Sequence, residues 1–141
     1  MSEGRLRPAD AMVDDLDLPF WRACAGEQFS VHRCAACGHS YWPASCCIEH
    51  GGAAMQWVPA SGRGVVHTYT VFHHAYDASF ADRVPYVIAV VRLDEGPFFF
   101  TDTVECDPEA VRVDMAVEVV YEHHDDWTMP HFRPGDLVDT R

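Results

Sequence analysis

The sequence predicts a mainly β protein in which an N-terminal helix and a small cysteine-rich ribbon precede a five-stranded barrel. Three observations carry that prediction. A cysteine pair, Cys34-Ala35-Ala36-Cys37-Gly38, is followed closely by a second cluster, Cys46-Cys47-Ile48-Glu49-His50. Runs of β-branched and aromatic residues separated by turn signals fill the second half. At 141 residues and 48% hydrophobic, the chain can bury one core plus a small module, but not two ordinary domains.

In chain order, residues 1–15 are charged and lack periodic apolar positions, so a mobile leader is expected. The unit over 16–58 then opens with a short helix. Asp17 can cap it, Pro19 suits its first turn, Phe20, Trp21, Cys24 and Phe29 recur at loosely helical spacing, and Gly26 loosens its end. Phe20 and Trp21 are adjacent and cannot share one helical face. Either the leader or ribbon covers both, or one of them meets a surface outside this chain.

The ribbon follows, with 28–33 as the strand entering the first cysteine turn and 40–43 as the strand leaving it. Two thiolates three residues apart on a tight turn bind one face of a tetrahedral ion, and Cys47-x-x-His50 has the spacing to complete the site. The expectation is a rubredoxin-like ribbon holding a structural zinc through Cys34, Cys37, Cys47 and His50, with Cys46 as the alternative to Cys47. His32 and His39 lie near enough to compete, and a metal-free pair of thiol-rich turns is the bland reading. Such small modules have little core, and the ion supplies the missing stability.

Residues 59–141 form the barrel unit with a C-terminal tail. Pro59-Ala60-Ser61-Gly62-Arg63-Gly64 is turn-rich, and Gly62-x-Gly64 reads as a flexible joint. Strands are expected over 65–72 and 86–93, the latter the most apolar run in the chain. Asp94-Glu95-Gly96-Pro97 turns the chain back into a strand over 98–102, making a hairpin. A helical turn at 107–110, a short strand at 111–113, a tight turn at Asp114-Met115 and a last strand over 116–121 complete a five-stranded count of the OB type. A two-sheet sandwich is the alternative, and the strand count is low for it.

Composition narrows function. A formal charge of −12 with only ten Lys and Arg opposes a nucleic-acid partner, which needs clustered positive charge. No segment is long and apolar enough for a membrane span and no signal core follows Met1, so a cytoplasmic location is expected, where metal and burial explain six cysteines better than disulfides. Cys24 and Cys106 read as packed, unreactive thiols.

Catalytic machinery is not evident. Four protein ligands would saturate the ion and leave no position for a hydrolytic water. His73-His74, His123-His124, His131 and Asp125-Asp126 could form a second metal or acid/base set, but neighbours in a strand point to opposite faces, and loop surface is the blander reading. No catalytic residue is assigned. Contact surface is the richer offer: Phe20, Trp21, Trp42, Trp57 and Phe132 are the candidate partner-binding aromatics.

The order of features resembles a known family. Pro19-Phe20-Trp21, Cys34-x-x-Cys37-Gly38 with Trp42-Pro43, the crossover from Trp57 to Val66, the run from Pro85 to Gly96, and Met129-Pro130-His131-Phe132-Arg133-Pro134 occur in sequence between Leu18 and Pro134. Together they resemble the acyl-CoA-associated zinc-ribbon/OB-fold family, long catalogued as domain of unknown function 35, whose members are small accessory chains beside thiolase-fold enzymes. Two departures stand out. A second Cys-x-x-Cys is usual where this chain has Cys46, Cys47 and His50, and glycine is usual where it has Asp114.

The resemblance implies a non-catalytic subunit of a thiolase-fold enzyme of the lipid-transfer-protein type acting on acyl-CoA thioesters. It favours a retro-aldolase that cleaves a steroid side-chain CoA ester, in a heterotetramer with the CoA thioester at a shared site. Membership of an acetyltransferase or condensing complex, and a stand-alone acyl-CoA or lipid carrier, are the alternatives.

Overall fold

The computed structural model describes residues 15–51, 54–75, 78 and 81–135; the leader expected over 1–15, save Asp15, and the tail beyond Gly135 lie outside them. One short helix, α1 (Leu18–Ala25), precedes two antiparallel sheets. Asp17 occupies the N-cap position, but its side chain makes no capping bond. Its carbonyl instead accepts the Phe20 N–H at 2.9 Å.

The ribbon has three strands. β1 (Ser30–Cys34) lies between β2 (Ser40–Tyr41) and β3 (Met55–Pro59). The third strand was not expected: Met55 to Pro59 pairs with Cys34 to Ser30 throughout, so the stretch before the turn-rich segment is structure rather than lead-in.

The expected joint at Gly62-Arg63-Gly64 is also not loose. Gly62 has φ +76°, and a Cβ there would stand 2.6 Å from Cγ1 of Val119; at Gly64 a Cβ would stand 2.3 Å from the Arg92 carbonyl oxygen. Both glycines serve close backbone approach, which fixes the ribbon's exit against the barrel.

Five antiparallel strands build the barrel: β4 (Arg63–Phe72), β5 (Tyr86–Leu93), β6 (Phe98–Asp102), β7 (Ala116–His123) and β8 (Thr128–Pro134), in the order β6-β5-β4-β7-β8. β4 pairs with β5 along its length and with β7 only over Arg63 to Val65, and a register shift between Val66 and Thr68 bends it. The result is a nearly closed barrel of OB type. Closure is partial: β6 and β8 meet in a single parallel bridge, Thr103 with Phe132, supported by the Val104 N–H donating to the Phe132 carbonyl at 2.8 Å.

One expected strand is replaced by another. Residues 111–113 are not a strand; the fifth strand is β8. Pro130 and Pro134 argue against a strand on sequence grounds, but the one ladder β8 forms is with β7, and an edge strand tolerates proline because most of its other side needs no backbone partner. Asp114 takes the left-handed conformation, φ 70°, at the turn before β7.

The core is shared by all parts. Phe20 of α1, Phe29 before β1, Phe99 of β6 and Phe132 of β8 are buried together, with Phe29 and Phe99 ring centroids 5.2 Å apart and Phe20 stacked edge-on to Trp21 at 5.0 Å. Phe20 and Phe132 are each 0% exposed, so they are core residues and not a contact surface as expected. Trp21, Trp42 and Trp57 are partly buried against the same cluster. Adjacent Phe20 and Trp21 are thus both accommodated, one inside and one at its margin.

Candidate functional site

The two turns of the ribbon are built alike. In the first, Gly38 (φ +78°) donates its N–H to the Cys34 carbonyl at 2.8 Å; in the second, Gly51 (φ +54°) donates to the Cys47 carbonyl at 2.8 Å. Each is a ligand, two spacers, a ligand and a left-handed glycine. This repeat selects Cys47 over Cys46, because only Cys47 stands four residues before a glycine as Cys34 does.

The turns bring Cys34, Cys37, Cys47 and His50 together, with their ligand atoms all within 4.8 Å of one another. Cys37 Sγ to Cys47 Sγ is 3.7 Å, Cys34 Sγ to His50 Nδ1 is 3.7 Å, and Cys47 Sγ to His50 Nδ1 is 3.5 Å. A tetrahedral ion of zinc's size, with M–S about 2.3 Å and M–N about 2.0–2.1 Å, places sulfurs about 3.8 Å apart and sulfur and nitrogen about 3.6 Å apart. These three separations match the edge lengths of such a tetrahedron, and the four side chains could hold a metal ion.

Second-layer contacts favour the thiolate. The Tyr41 hydroxyl donates to Cys47 Sγ at 3.6 Å and itself accepts the Ile48 N–H at 3.0 Å. That hydroxyl, then His50 and the His50 and Glu49 backbone amides, pull the Cys47 thiol down to about 6. Tyr41 was not singled out in the sequence, and its place two residues after His39 on a short strand gave no signal.

The competing ligands fall away. Cys46 is exposed and outside the cluster. His32 is buried, lies against Trp57 with centroids 4.9 Å apart, and accepts the Ser45 N–H on Nδ1 at 3.1 Å. His39 is exposed beside Tyr41. Cys24 is fully buried and desolvation pushes its thiol up to about 12.

The remaining histidines divide. His73 and His74 are exposed. His123 pairs with Glu27 at 2.7 Å, and His124 stacks on Trp127 at 4.0 Å while meeting Glu122 at 2.8 Å. Among the described residues they form no second metal-ligand group. His131 differs: it is buried, with Nδ1 2.5 Å from Asp102 and Nε2 2.6 Å from Glu122, and Arg83 caps Asp102 from the other side at 2.9 Å. Burial works against the imidazolium, but the two carboxylates outweigh it and raise the His131 pKa. Among the described residues, no helix is long and apolar enough to cross a membrane.

Comparison with known proteins gives the family. Residues 57–122 match the model of the ChsH2 C-terminal OB-fold domain. A probable enoyl-CoA hydratase alpha subunit of Thermomonospora curvata is 35% identical over 92% of this chain, which spans only 40% of that relative. A DUF35 domain-containing scaffold protein of Methanocaldococcus jannaschii is 37% identical over 63% of this chain and 64% of its own length. Among solved structures, a chain of the Ltp2-ChsH2(DUF35) aldolase superposes with a TM-score of 0.78 at 31% identity, covering 86% of this chain and 96% of that one. With helix, ribbon and barrel matched at that identity, the chain belongs to the DUF35 family, whose barrel is the ChsH2-type OB-fold.

Proposed function

We propose that this chain is a non-catalytic subunit that docks on a thiolase-fold enzyme acting on acyl-CoA thioesters, and that its ribbon is stapled by a structural zinc. The observation that carries this reading is the likeness, over nearly the full length of both, to the DUF35 chain of a two-component aldolase. The name of the archaeal relative, a scaffold protein, agrees with it.

The ribbon supports the same division of labour. Cys34, Cys37, Cys47 and His50 would fill a tetrahedral ion, which would cross-link the two turns and leave no open position for substrate. This chain's own part is then shape: it positions Trp21, Trp42 and Trp57 at the edge of a rigid core as contact candidates.

The finer reading is a retro-aldolase. A β-hydroxyacyl-CoA ester of a steroid side chain loses its hydroxyl proton to a base, the carbon–carbon bond breaks, a ketone leaves, and the thioester enolate takes up a proton as a shorter acyl-CoA. Base and acid are assigned to the partner, and two copies of this chain flank its dimer at a shared CoA site.

Co-expression with a thiolase-fold partner encoded nearby tests the reading. The two chains should elute together at a fixed ratio and cleave the thioester only as a pair. Full activity of the partner alone without association, or turnover by this chain alone, would overturn it.

A further inference from the structure

The incomplete closure of the barrel leaves a slot. Beside the bridge at Thr103 and Phe132, β6 and β8 share no ladder, and residues of both line a cavity of about 310 Å³. Its walls are apolar: Trp21, Trp42 and Trp127 with Phe100, Met129 and Pro130. Its polar side is the chain of Arg83, Asp102, His131 and Glu122 described above. An apolar cavity of this size with a few convergent polar groups has the form of a small-molecule site.

We propose that this slot binds a compact, neutral, apolar molecule carrying a hydroxyl group, with the hydroxyl donating to the Asp102 carboxylate.

Three features select that chemistry. The Asp102 oxygens each carry one of the bonds described, Oδ1 to His131 and Oδ2 to Arg83, and a carboxylate oxygen can accept a second donor. Every charge in the slot already has an opposite within hydrogen-bond distance, so a charged ligand would be desolvated without a counter-ion. The aromatic walls offer flat, rigid contact area, which suits a ring system better than a flexible chain. Phe100, on the wall, is 72% exposed, which leaves apolar surface for a ligand to cover.

The site lies in this chain alone, so its test needs no partner enzyme. Three of the four tryptophans line the slot and report occupancy by their fluorescence. The full chain is titrated with three isosteric probes: 1-adamantanol, 1-adamantanecarboxylate and 1-adamantylamine. The alcohol should saturate one site per chain with a change in tryptophan emission, at least ten-fold tighter than either charged analogue. Ile88→Phe, which adds bulk to a wall residue, should weaken the alcohol by ten-fold or more with circular dichroism unchanged. Absence of saturable binding by the alcohol, equal or tighter binding of a charged analogue, or an undiminished affinity in a folded Ile88→Phe chain overturns the proposal. If that variant does not fold, the discrimination among the three probes on the native chain decides.

Discussion

At the scale of single residues, the proposed metal centre rests on positions that differ by one place in the chain. Cys46 and Cys47 are neighbours, yet only Cys47 is carried into the ligand cluster, by a turn that Gly51 closes in the left-handed region. Cys47→Ser should abolish stoichiometric zinc in the purified chain, whereas Cys46→Ser should leave it at one ion, as read by elemental analysis; retention in the first variant would refute the ligand set. His50→Cys should keep the ion, since a fourth thiolate serves a structural site as well as imidazole does. Gly64 is a sharper constraint than either glycine of the turns. Its missing side chain is required by a carbonyl at 2.3 Å, so Gly64→Ala must push β4 from β5, at a cost of about 2–4 kcal/mol in chemical denaturation.

Among the elements, β8 and the seam it forms with β6 show the most physics. His131 on β8 reaches Asp102 at the end of β6 and Glu122 on β7, with Arg83 beyond Asp102 and His124 beyond Glu122, so one imidazole ties three strands and spans the β6–β8 seam, where backbone pairing is thin. Its pKa is raised in the folded chain. The stabilisation it gives is therefore fully present below the unfolded value of about 6.5, and is lost as pH rises through the higher folded value. Thermal stability measured from pH 6 upward should fall over that window, and His131→Gln should flatten the fall. An unchanged slope in a folded His131→Gln chain would mean that another group sets it.

For the molecule as a whole, ribbon and barrel share their interior. Phe20, Phe29 and Trp42 from the N-terminal part pack on Phe99, with centroids 6.0, 5.2 and 4.8 Å away. Phe20→Ala should then cost about 3–5 kcal/mol and loosen both parts, visible as one shifted unfolding transition. Metal removal should act more locally. After chelation, hydrogen exchange should rise first in the two cysteine turns while the amides of β5 stay protected, since the turns have few apolar contacts of their own. Equal acceleration in β5 would show that the ion supports the barrel directly.

What the sequence determined by itself is what depends on local chemistry. The cysteine spacings identified the two turns that come together as a candidate metal site, β-branched runs identified β4 and β5, and the Asp94-Glu95-Gly96-Pro97 turn set the hairpin to β6. The tight turn at Asp114 was legible for the same reason: the residue type suits the left-handed backbone that it adopts there. Tertiary structure alone decided the rest. Pro130 hides β8 until its edge position is known, and Gly62 and Gly64 read as a flexible joint until Val119 and Arg92 are brought against them. Phe20 and Phe132 are surface or core only by virtue of which distant rings meet them, and the Arg83, Asp102, Glu122 and His131 chain joins residues far apart in sequence. Such features are set by which segments come to face one another, and no window of neighbouring residues contains that information.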